Sequence, residues 1–152
     1  KEDLTREVLG IVNIPQESSS GWEEVLLGLK DRGVGQVGLF VFDDLTGLDM
    51  VVGKVFSGSI HQKCILHFQR NLNKHIRVAD RKTFAKALSG LFDPDNRHYT
   101  SAQAVTKLKE LLSKWGKTYP KLRSTANRTD LEAVFTYLQF DYRIRRMIYT
   151  TN

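Results

Sequence analysis

One cysteine, Cys64, is all that this chain of 152 residues carries. That excludes an intramolecular disulfide framework and fits a reducing compartment. No apolar run approaches the roughly 18 residues that a membrane span needs, and no charged-then-apolar leader precedes the first predicted strand. No internal repeat and no low-complexity segment interrupts the chain. Cations are scarce in residues 1–60, with 5 Lys and Arg against 10 Asp and Glu, whereas residues 61–152 hold 18 against 7. The net charge of +6 therefore joins an acidic first part to a strongly basic second part. A basic block of this size fits a polyanionic partner, because Lys and Arg that neutralise phosphates release counterions. A solvated basic helical face gives the same composition. What is present, 41% hydrophobic and 26% charged residues, is ordinary for one globular domain with a core.

The stretch Val37–Phe42 is apolar or small throughout, rich in β-branched and aromatic types, and entered through Gly33-Val34-Gly35. It reads as a short strand buried on both faces. It stops at Asp43 and Asp44. A parallel strand delivers side chains at its carboxyl end to the crevice where α/β sheets place ligands, so chemistry is expected at Asp43. A cap on the following helix is the other reading of the same residue.

Around this stretch, residues 6–14 read as an opening strand ended by Pro15. A helix over about 21–30, capped by Ser19 or Ser20, turns Trp22, Val25, Leu26 and Leu29 inward. A helix over 47–56 and a strand over 59–63 follow, giving a strand, helix, strand, helix, strand order with parallel crossovers. From Ile65 onward only helices are predicted, over about 65–76, 80–92, 101–115, 130–137 and 142–148, with Gly116 and Pro120 bounding the exit of the third. The fold class is thus α/β, a partial core over residues 1–64 followed by an all-helical portion over 65–152.

Cys64-Ile65-Leu66-His67 is a C-x-x-H pair. Tetrahedral zinc needs two further ligands, and His61, His75 and His98 offer no familiar spacing with a lone cysteine. A cysteine nucleophile beside His67 lacks an obvious third group. A small buried thiol and a hydrogen-bonded imidazole is the stronger local reading. Two or three carboxylates that hold a pair of Mg²⁺ ions perform phosphodiester cleavage and strand transfer. One Asp does not make such a site, and Glu17, Asp49 and Glu132 are the other acidic residues considered for it.

Several runs together resemble the bacterial Mutator-type insertion-sequence transposases: Arg6–Ile11, Glu17-Ser18, Gly21-Trp22, Leu29–Gly33, Asp43 with Leu45–Leu48, Gln62–His67 with Arg70-Asn71-Leu72, Lys114–Pro120 and Ile148–Asn152. The resemblance implies a ribonuclease-H-like core with a helical insertion, and a DDE mechanism in which three acidic residues bind Mg²⁺ or Mn²⁺. By motif, Asp43 matches the second Asp of that triad and a metal ligand, and Cys64 and His67 match the family's C-x-x-H signature. The first Asp is expected before Lys1 and the Glu after Asn152, so the chain is expected to be a central portion that does not bind the metal alone. Asp44 stands where the family usually has Gly, Phe140-Asp141 where Tyr-Pro is usual, and the Trp motif expected near 124–128 is absent.

The function expected is DNA transposition by metal-dependent cleavage and strand transfer. The alternative is a non-catalytic DNA-binding or assembly module. A phosphate-receiving signalling domain built on Asp43-Asp44 would need the sheet to continue past Lys63, where helices follow instead. Arg70, Lys74, Arg77, Lys107, Lys114, Arg143, Arg145 and Arg146 are the candidate contacts to DNA backbone. The partners expected are element ends and target DNA, with no membrane, in the bacterial cytoplasm at the nucleoid. A sheet edge left open by absent strands is a route to a homodimer.

Overall fold

A computed structural model describes residues 7–13, 18–43, 45 and 47–149. Expectations resting on Glu17, Asp44, the ends of the first predicted strand and residues 150–152 lie outside the described residues. The protein is mixed α/β and mostly helical, and it divides into two compact units: Lys1–Phe40 with Leu45–Ile60, and Val41–Asp44 with His61–Asn152.

In the first unit, α1 spans Ser19–Asp31, and its cap is Ser18, whose Oγ accepts the Gly21 N–H at 3.2 Å. The second helix, α2, Leu48–Val55, buries Leu48, Val51, Val52 and Val55, the i, i+3, i+4, i+7 face of an amphipathic helix. Lys54 Nζ lies 2.5 Å from Glu23 Oε1, and Lys30 Nζ donates to the Val55 carbonyl at 3.0 Å, so both links join α1 to α2. Gly47 enters α2 at φ 81°, where a Cβ would fall 2.6 Å from Ser19 Oγ. Both the left-handed backbone and the close approach require glycine there.

Two strands, β1 over Leu39–Phe42 and β2 over Ile60–Lys63, pair in a two-stranded sheet. Ile60 N–H donates to Gly38 O at 3.1 Å and Cys64 N–H to Phe42 O at 3.0 Å, the same four-residue advance on both chains that marks a parallel pair. The β1–α2–β2 crossover is therefore present. Two expectations are corrected. β1 is half-buried along its length rather than buried on both faces, because the sheet has two strands. Residues 7–13 form no strand, since no neighbour among the described residues offers their backbone a ladder, and Val8 and Ile11 are 79% and 94% exposed.

The second unit adds α3, Ile65–Asn73; α4, Val78–Ser89; α5, Ser101–Gly116; α6, Pro120–Asn127; α7, Leu131–Val134; a 3-10 turn, Thr136–Gln139; and α8, Tyr142–Ile148. A capping box starts α5: Thr100 Oγ1 accepts from Gln103 N–H at 3.3 Å and Gln103 Oε1 from Thr100 N–H at 3.1 Å. Pro120 opens α6 as its first residue, the position that tolerates a missing N–H. Reading it as a boundary of α5 alone misses this helix. Leu72, Phe84, Leu88, Leu108, Leu122 and Phe135 are fully buried, and Phe84 meets Trp115 edge-on at 5.2 Å.

Gln62, fully buried on β2, fastens this core. Its Nε2 donates to Val134 O at 2.8 Å and its Oε1 accepts the Tyr137 N–H at 2.6 Å, so one amide satisfies two backbone groups between α7 and the 3-10 turn.

Candidate active site

Asp43 follows the last residue of β1. The Cys64 N–H to Phe42 O bond fixes the start of α3 beside that strand end. Cys64 is the N-cap residue of α3 and is buried, so His67 stands in the first turn. There His67 Nδ1 lies 3.1 Å from Asp43 Oδ2, both side chains being 41% exposed. The other carboxylate oxygen, Oδ1, is sealed from solvent and has no hydrogen-bond partner among the described residues.

Asp43 is not a helix cap. Gly47 is the N-cap of α2 and Cys64 that of α3, and neither helix has a side-chain cap bond. A carboxylate oxygen removed from water without a donor is costly, and a cation is one group that removes the cost. The described residues do not complete a metal site, since they contain no group of three His, Cys, Asp or Glu side chains able to hold an ion. Asp49 is exposed in the first turn of α2. Glu132 is exposed on α7 and lines a cleft with Lys109, Arg123 and Asp130.

Of the other histidines, His61 stacks on Phe42 with ring centroids 5.4 Å apart, and His75 Nε2 is 3.3 Å from Thr125 Oγ1. His98 N–H donates to Asn96 Oδ1 at 3.1 Å.

The chain matches, over residues 1–152, the family model described as Transposase, Mutator family. The chain belongs to the Mutator family of transposases. It is 30% identical over 145 residues to the transposase for insertion sequence element IS905 of Lactococcus lactis, which covers 95% of this chain and 36% of that protein. It is 31% identical over 152 residues to the transposase for insertion sequence element ISRM3 of Rhizobium meliloti, covering 99% and 36%. A probable transposase for an ISRM3-like element of Sinorhizobium fredii is 32% identical over 152 residues, again 99% and 36%. This Mutator-family chain thus spans a little over a third of the length of these relatives.

The basic side chains of this Mutator-family chain fall into two kinds. Arg70, Lys74, Arg77, Lys107 and Lys114 are exposed, Lys107 Nζ lying 4.8 Å over the Tyr99 ring. Arg143 forks onto Asp141 at 2.8 and 3.2 Å, which holds that carboxyl down at about 2. Arg146 is exposed and paired with Asp95. Arg145 departs from the expectation of a backbone contact: it is 6% exposed, and its guanidinium donates to the carbonyls of Phe140, Asn96 and Leu138 at 2.8, 2.8 and 3.0 Å. Three of its five N–H donors are thus used inside the fold.

Sequence reasoning passed over Lys121 and Arg128. On α6 and the turn after it they stand at i−4 and i+3 from Thr125, hence on one face, and Thr125 reaches His75 at the exit of α3. Lys74, Lys121 and Arg128 consequently surround His75, and partial burial together with these three cations lowers its pKa. A helix starting at Pro120, written into the sequence as a first-turn proline, is the signal that would have found this cluster.

Proposed function

We propose that this chain is a central portion of a DDE-type DNA transposase that carries one of its three acidic residues, Asp43, and the helical insertion that holds DNA backbone beside it. In this reading residues 1–64 belong to a ribonuclease-H-like core and residues 65–152 to the insertion. The remaining two carboxylates come from other parts of the full-length protein, so the chain alone is inactive and binds no metal by itself. A bound Mg²⁺ or Mn²⁺ would supply activation of the attacking oxygen and stabilisation of the leaving one. Asp43 would be one of the residues holding it, while Lys74, Lys121 and Arg128 with Arg70, Arg77, Lys107 and Lys114 hold phosphates without reading bases. The protein works on element ends and target DNA in the bacterial cytoplasm, and the exposed apolar residues 8–12 offer a surface for a second copy.

The observation that carries this reading is the sealed, unbonded Oδ1 of Asp43 at the carboxyl end of β1 in a Mutator-family chain. A non-catalytic DNA-binding module is favoured by a different observation, the lack of a three-residue metal group among the described residues. Cleavage by the full-length protein decides between them. With Mg²⁺ or Mn²⁺ and linear DNA bearing the element's own end, Asp43→Asn is expected to bind the end and fail to cut it. Cleavage at the unsubstituted rate would contradict the proposal.

A further inference from the structure

The C-x-x-H pair, Cys64 and His67, has a specific geometry. A carboxylate rotates about χ2 in a broad, two-fold well, so an Asp at a strand end presents either oxygen unless one is tied down. Here Oδ2 has His67 Nδ1 as its neighbour at 3.1 Å, and Oδ1 is the oxygen left without a hydrogen-bond partner among the described residues. The imidazole is itself held in place. Cys64 N–H bonds the carbonyl of Phe42, the residue before Asp43, so α3 starts at a fixed distance from the carboxylate. Helical side chains lean toward the amino end of their helix, which carries a residue three places after Cys64 back over the helix start. The small buried Cys64 lets that start seat closely, at 3% exposure. The spacing of the motif is thereby accounted for: an anchor at the N-cap and a donor at the third helical position.

We infer that His67 is the positioning residue of Asp43, fixing the orientation of its carboxylate through an Nδ1–H bond to Oδ2. This rests on the reading of Asp43 as a transposase carboxylate. Because a carboxylate oxygen only accepts, Nδ1 carries the proton.

Three measurements on the full-length protein with element-end DNA test the inference. His67→Phe keeps a ring and removes the donor; cleavage at saturating DNA should fall about 10- to 100-fold, the range seen when a supporting partner of a ligand is lost, and more Mg²⁺ should be needed for half-maximal rate with KM for DNA unchanged. His67→Asn places an amide N–H₂ the same number of bonds from Cα as Nδ1, and it should recover most of both losses. Independently of activity, the ¹⁵N shifts of His67 in the unsubstituted protein should report the Nδ1–H tautomer, and Asp43→Ala should release it. Wild-type rate and metal dependence in His67→Phe, an Asn variant as impaired as the Phe variant, or an Nε2–H tautomer in the unsubstituted protein would each overturn the inference while Asp43→Asn stayed inactive. An active Asp43→Asn would instead overturn the functional reading, and the inference with it.

Discussion

The first unit and the helical unit close their cores to different degrees. In the first, Leu26 and the inward face of α2 are buried, but Val8, Leu9, Ile11, Val12, Leu27, Met50 and Ile60 stand exposed. In the second, Leu72, Phe84, Leu88, Leu108, Leu122 and Phe135 reach full burial, and Val78 is the one large exposed apolar side chain among its described residues. The difference follows from architecture. The second unit's bundle of short amphipathic helices covers its own apolar faces, whereas the first unit has only α1 and α2, among its described helices, to cover its own. Asp43 and His67 both belong to the helical unit.

The largest expected effect contrasts the two units directly. Phe84→Ala, removing a fully buried ring packed on Trp115, should cost about 3–5 kcal/mol in chemical denaturation, whereas Ile11→Ser, at a 94% exposed position, should stay within about 0.5 kcal/mol. Equal losses would break the comparison. Next in size, Arg145→Met should destabilise by about 3 kcal/mol through three carbonyls left without a donor, while Arg143→Gln on the same helix should leave Tm unchanged because its partner is an exposed Asp. The contrast separates an interior cation from a surface one that sequence does not distinguish.

Smaller still is a pH effect at His75. Partial burial, then Lys74, Lys121 and Arg128, lower its pKa in the fold, so the unfolded chain takes up the proton first as pH falls. Its contribution is present above pH of about 6.5 and is lost as pH drops through the lowered folded value. DNA phosphates at the cluster would offset the cations. An NMR titration should then show the His75 pKa rising when a short duplex is added, and no change would remove this cluster from the DNA surface.

Legibility in the sequence divides along physical lines. The 3.6-residue pattern of α1, α2, α3 and α5 is local and could be read directly, as could the strand that ends at Asp43. The opening segment could not, because a short apolar run does not by itself say whether a neighbouring strand is there to pair with it. Pro120 was ambiguous between stop and start, and reading it as a stop hid α6 and with it Lys121 and Arg128. Arg145 lies in a run of arginines, and only the turn of α8 and the carbonyls around it single it out. Gln62 and the Asp43–His67 pair depend on partners 72, 75 and 24 residues away, which no local pattern reports.

In the proposed function Asp43 is required for cleavage, and Asp49 and Glu132 are not. The most direct test compares strand cleavage of element-end DNA by full-length Asp43→Asn, Asp49→Asn and Glu132→Gln in Mg²⁺, with end binding measured in parallel. Loss of cleavage in Asp43→Asn alone, with binding intact in all three, is the predicted result. Cleavage by Asp43→Asn at the unsubstituted rate would contradict the account.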